Sequence, residues 1–133
     1  MSLTRRNPDS MYEPFGNNYT QVIETTGTRQ IHVAGTLAAD ENRELVGEGD
    51  VRAQTRQIME NIEASLAEFG AGPSDVVRIG VYALDLDDYL ENGLPELLDF
   101  FGDHKPVSTT VGIDQLAAPG YLVEIEATAV VDA

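Results

Sequence analysis

The run Tyr121-Leu122-Val123-Glu124-Ile125-Glu126-Ala127-Thr128-Ala129-Val130-Val131 alternates with the two-residue period of a β-strand. That period sends Glu124 and Glu126 to one face and Val123, Ile125 and Ala127 to the other. Two carboxylates on one face of a strand are costly unless that face is wet, paired or used. The chain is therefore constrained to a sheet with one dry face and one face that meets solvent, a partner or a ligand.

The rest of the chain supplies the layer for the dry face. Asp50 is a suitable N-cap for a helix over Val51 to Phe69, which Gly70 terminates. Val51, Ile58, Ile62, Leu66 and Phe69 follow helical steps and predict one buried stripe, with Arg52, Arg56, Glu60 and Glu63 off it. A second helix is expected over Leu94 to Phe101, with Pro95 in its first turn. Strands are expected at Tyr19–Thr25 and Arg29–Thr36, joined as a hairpin through Thr26-Gly27-Thr28. Ala38–Gly49 is an acidic connector with a short strand at Glu44-Leu45-Val46. Further strands are expected at Asp75–Leu84, with Val77, Ile79 and Val81 on one side, at Val107–Gln115 and at Gly120–Val131. Residues 1–18 read as an irregular N-terminal arm and 19–133 as a single domain. The order β-β-α-β-α-β-β predicts an α+β sandwich, a mixed sheet carrying two helices on one face. The other face has no helix left to cover it, so self-association is expected.

Charge narrows the partners. The chain carries 23 acidic against 8 basic side chains, a formal net charge of −15, and Lys105 is its one lysine. Nucleic acid requires a basic stripe, and Arg5-Arg6 is the one adjacent pair, so nucleic-acid binding is not expected. No apolar run approaches the roughly 18 residues of a membrane span. There is no cysteine, hence no disulfide and no thiolate. A cytoplasmic location and adaptation to high salt, which screens self-repulsion, fit this balance. His32 and His104 have no metal-spaced partner, so neither metal nor cofactor is expected.

Several segments resemble the reactive-intermediate deaminase family (Rid, YjgF-like, also labelled endoribonuclease L-PSP). Gln54-Thr55-Arg56-Gln57 with Asn61 is similar to its Q-x-R-Q-x-x-x-N helix, and Tyr19-Thr20-Gln21 to its early Tyr-x-Gln. Val33-Ala34-Gly35-Thr36 stands where the family has Ser-Gly-Gln. Asp85-Leu86-Asp87-Asp88-Tyr89 resembles Asp-Leu-x-Asp-Phe, Phe100-Phe101 with His104 matches the second helix, and Val123 to Ala127 matches the terminal strand. The resemblance covers residues 19 to 131. It implies a chorismate-mutase-like fold, a homotrimer and small-molecule clefts between subunits.

The resemblance also implies site residues. Glu124 matches the glutamate that places hydrolytic water, and Tyr19 and Gly35 match cleft-lining positions. Pro106-Val107-Ser108-Thr109-Thr110-Val111 stands where deaminase members have Pro-x-Arg-Ser/Thr-x-Val, so Ser108 replaces the carboxylate-clamping arginine. A neutral hydroxyl cannot supply a bidentate charged clamp. Ser108 and Thr109 are expected to hydrogen-bond a neutral or cationic ligand in a net-negative cleft. The expectation is a trimer whose clefts bind a small metabolite, with Glu124 placing water on an imine- or enamine-type group. The alternative is a non-catalytic metabolite-binding or protective protein. The missing arginine argues against 2-imino-acid deamination, and the charge argues against ribonuclease action. Glu126 reads as structural, pairing with Arg29 or Arg78. As bare hydroxyls in a β-run, Ser108 to Thr110 read more often as strand packing, Phe100 and Phe101 as core or subunit packing, and His104 as a helix C-terminal cap.

Overall fold

The computed structural model describes residues 2–132. A four-stranded mixed sheet forms its centre in the order β3 (Arg29–Thr36), β6 (Val123–Val131), β4 (Val76–Ala83), β5 (Val107–Gly112). β6 runs antiparallel to both neighbours, and β4 and β5 are parallel. Helix α1 (Val51–Ala67) and the helical stretch Leu86–Phe101 complete the core with this sheet. That stretch has three parts: α2 (Leu86–Asp88), a π-turn (Tyr89–Gly93) and α3 (Leu94–Phe101). The α+β sandwich expected from the sequence is therefore what forms.

β6 carries the alternation read from its sequence. Val123, Ile125, Ala127 and Ala129 are buried, while Glu124, Glu126 and Thr128 are half-buried on the face away from the core. Asp50 accepts a hydrogen bond from the Ala53 amide at 3.1 Å, which caps α1 as expected. The helix ends two residues early, at Ala67. Gly70 takes the left-handed conformation (φ 73°), and the Ala71 amide donates back to the Leu66 carbonyl at 3.0 Å. That reversal swings Phe69 off the stripe, and its side chain is 60% exposed.

The expected hairpin does not form. β2 (Val22–Thr25) pairs with β1 (Leu3–Arg6), in the arm read as irregular, as a separate two-stranded ribbon. The reason is burial: none of β2 is buried, whereas β3 places Ile31 and Val33 opposite Ala129 and Ala127 and packs into the core. A second difference lies at the start of β4. A bulge at Val77, between Val76 and Arg78, puts Val76 in the core and leaves Val77 half-buried. The connector strand reduces to one bridge between Ala39 and Leu45. β5 and β6 are shorter than their sequence runs.

Two motif residues of α1 are structural clamps. Gln54 is fully buried; its amide donates to the Gly47 and Gly120 carbonyls at 3.0 and 3.1 Å and accepts from the Leu122 amide at 2.8 Å. Asn61 donates to the Leu37 and Ala39 carbonyls. The π-turn lets Gly93 approach α1, where an added Cβ would stand 2.8 Å from Thr55 Oγ1 and 2.5 Å from Tyr89 Cδ1. Tyr89 is fully buried, which pushes its pKa upward, and among the described residues its hydroxyl has no hydrogen-bond partner. Tyr89→Phe removes that desolvated hydroxyl and should stabilise the fold by about 1 kcal/mol. Urea unfolding checks this, and a destabilised variant would mean that the hydroxyl has a partner.

Candidate functional site

The residues singled out by sequence fall into two groups, one at the β3–β6 pair and one at the β5 edge. Glu124 and Gly35 lie on the face turned away from the helices. β3 has a bulge between Val33 and Thr36, one residue more than β6 between Ala127 and Ile125. Gly35 sits in that bulge, and the Glu124 carboxylate lies over it. A Cβ built on Gly35 would be 2.2 Å from Glu124 Oε2, so this seat requires glycine. Among the described residues, no protein group hydrogen-bonds the Glu124 carboxylate. Glu126, on the same face, is occupied: Arg78 Nη1 lies 3.2 Å and the Tyr82 hydroxyl 3.3 Å from its Oε1. Arg29, the other partner considered for Glu126, instead donates to the backbone carbonyls of Asp132 and Phe69.

Tyr19, Ser108 and Thr109 gather at the β5 edge. Ser108 is in register with Ile79 and shares its helix-facing side, whereas Thr109 faces the other way, beside Gly80. A cleft of about 190 Å³ opens between α3, β5 and the segment before β2. Its walls are Leu94, Leu98 and Phe101 on α3, with Tyr19, Ser108 and Thr110 opposite. A second hollow of about 260 Å³ adjoins it, lined by Tyr19, Ser108, Thr109 and also Arg78. The cleft is apolar, with hydroxyls on one side. Glu124 and Gly35 line neither hollow, so one chain does not bring Glu124 to Ser108.

His104 lines the cleft too, but it is not a side-chain helix cap. Its Nε2 lies 2.6 Å from the Val76 carbonyl, and its Nδ1 meets the Arg5 guanidinium. A guanidinium only donates, so Nδ1 accepts and Nε2–H donates, and the ring is neutral. Burial and the Arg5 charge push its pKa below the usual value, against opposing effects of the Val76 carbonyl and Asp75. The native state therefore holds fewer protons here than the unfolded chain, so this contribution is complete above about pH 6.5 and is lost as pH falls. Between pH 7 and 5 the urea midpoint should fall less in His104→Gln than in the parent; equal falls would contradict it.

Sequence reasoning missed His104's bridge to β4, which links positions far apart in the chain. It also missed the seat of Glu124 on Gly35, although a glycine at a strand end was a usable signal. Among the described residues, no helix is long and apolar enough to cross a membrane and no acidic, His or Cys cluster is arranged to hold a metal ion.

Known proteins are similar to this chain in sequence and fold. The sequence profile named Endoribonuclease L-PSP matches residues 12–131. A RutC family protein of Pyrococcus abyssi is 36% identical over 112 residues, 84% of each chain. The 3-aminoacrylate deaminase RutC of Acinetobacter baylyi is 31% identical over 112 residues, 81% of this chain and 84% of that one. The crystal structure of YyfB from Yersinia pestis, a protein of unknown function of the conserved Rid family, superposes with a TM-score of 0.90 at 34% identity. That match spans 98% of this chain and 100% of YyfB. On profile, sequence and fold together, this chain belongs to the Rid (YjgF-like) family, the family of the Endoribonuclease L-PSP profile.

Proposed function

We propose that this protein is a small-molecule hydrolase acting on an imine- or enamine-type group, with Glu124 placing the attacking water. The observation that carries the reading is the contrast between the two glutamates of β6. Glu126 is engaged by Arg78 and Tyr82, whereas Glu124 is held over Gly35 with its oxygens left to a ligand or water. A carboxylate without protein donors is suited to accept a proton from water. The deaminase name of the Acinetobacter relative supports the same reaction class. Glu124 and the Tyr19–Ser108 cleft lie on opposite faces, so the site is completed by the cleft of a neighbouring copy. The bare sheet face supplies the contact, and a homotrimer is the assembly we propose. The protein is read as cytoplasmic and working without metal or cofactor.

A second reading is a non-catalytic metabolite-binding or protective protein. It is favoured by Ser108, which offers a hydroxyl and no fixed charge to polarise a substrate. Ammonia release from aminoacrylates generated in situ, with sedimentation of the same sample, separates the two. Turnover by a trimer supports hydrolysis. A trimer that binds without releasing ammonia supports the second reading, and a monomer with full turnover sinks the shared site.

A further inference from the structure

A third hollow, of about 220 Å³, lies beyond Tyr19 and Thr20, and three of the chain's eight basic side chains line it: Arg5, Arg6 and Lys105. The cations are held in place by neutral acceptors. Arg5 meets His104 Nδ1, Arg6 Nη1 donates to the Arg5 carbonyl at 3.0 Å, and Lys105 Nζ donates to the Asn17 carbonyl at 2.7 Å. Among the described residues, none of the three makes an ion pair. Acids outnumber bases 23 to 8, yet Asp103 is the one acid on this hollow and pairs with none of them. Elsewhere Arg56 and Arg78 do find carboxylates, Glu96 and Glu126. Three adjacent unpaired cations repel one another, and the distant acidic surface is screened over about 10 Å. Arg5 and Arg6 precede the residues matched by the family profile. Lys105, Tyr19, Thr20 and Asp103 lie within them, so the hollow joins the N-terminal ribbon to the body of the domain.

We propose that this hollow binds the phosphoryl group of a small phosphomonoester whose apolar organic part enters the adjoining cleft. Three cations against Asp103 leave two positive charges, which match a phosphomonoester of about −1.5 to −2 at pH 7. Three phosphoryl oxygens suit three separate cationic donors, whereas one carboxylate is satisfied by a single bidentate arginine. Tyr19 lines both spaces, and the proposed ligand passes it, with its phosphoryl group at Arg6 and Lys105 and its organic part at Leu94, Leu98 and Phe101. This departs from the net-negative cleft expected from sequence. Its organic half rests on reading the Tyr19–Ser108 cleft as the ligand site; its anionic half does not.

The test titrates the full chain with inorganic phosphate, phenol and phenyl phosphate at fixed ionic strength, reading amide shifts. Phosphate should move Thr20 and Lys105, phenol should move Ser108 and Leu98, and phenyl phosphate should move both sets and bind about tenfold tighter than phosphate. The double variant Arg6→Ala, Lys105→Ala should lose phosphate binding and keep phenol binding. No response to phosphate, or unchanged phosphate binding in that variant, overturns the anion site while leaving the cleft intact. Phosphate binding with no phenol response, or equal affinity for phosphate and phenyl phosphate, overturns the cleft half alone. Tighter binding of a 5′-phosphorylated oligoribonucleotide than of phenyl phosphate would overturn the small-molecule assignment.

Discussion

Glu124→Gln is expected to lower kcat/KM for imine or enamine hydrolysis by about 10²- to 10⁴-fold while leaving the fold and assembly unchanged. The substitution keeps the shape and removes the proton acceptor. Folding should tolerate it because, among the described residues, no protein donor depends on the carboxylate. Gly35→Ala makes the same point through geometry. Its Cβ would occupy the space of Glu124 Oε2, so the side chain must swing away with its charge retained. A misplacement of this size should cost about 10²-fold in kcat/KM. The double variant should be no worse than Glu124→Gln alone, since both changes remove one function. Ammonia release under saturating and limiting substrate measures all three. Full activity in Glu124→Gln would remove Glu124 from the reaction.

The second large effect concerns stability. Gln54→Met keeps approximate volume but strands the Gly120 carbonyl and the Leu122 amide, both of which now bond the Gln54 side chain, while the Gly47 carbonyl keeps the Asp50 amide as a donor. An unpaired buried group costs about 1–3 kcal/mol; the Leu122 amide is half-buried and Gly120 exposed, so a total loss of about 2 kcal/mol is expected. For a domain of this size that corresponds to a fall in Tm of about 7 °C. Urea and thermal unfolding at one protein concentration measure it, since assembly makes stability concentration-dependent. A loss below about 1 kcal/mol would show that water replaces the amide at no great cost. Under the proposed function Gln54 would act only indirectly, because Leu122 leads into the strand that carries Glu124.

These two residues show how differently sequence exposes its meaning. Gln54 was legible as part of a helix motif, but nothing in the helical pattern shows that it ties two glycine loops to the start of β6. Glu124 was legible as a carboxylate on the wet face of a strand, and its contrast with Glu126 emerged from Arg78 and Tyr82 on the neighbouring strand. Ser108 was placed correctly on a strand, yet its face was set by register with Ile79. The expected hairpin failed: β3 packs Ile31 and Val33 against the core beside β6, whereas no residue of β2 is buried.

The sequence by itself determined the features that rest on local periodicity and capping. These are the alternation of β6, the buried stripe and Asp50 cap of α1, the start of α3, and the count of faces needing cover. Such features depend on neighbours within a few residues, and backbone geometry converts their spacing directly into direction. Tertiary structure alone decided which strands pair, that Glu124 and Ser108 lie on opposite faces, and that Arg5, Arg6 and Lys105 share one hollow. Those facts join residues as much as a hundred positions apart, and no local rule acts over that distance. They are settled where burial of apolar area outweighs chain entropy, which only the assembled core can decide.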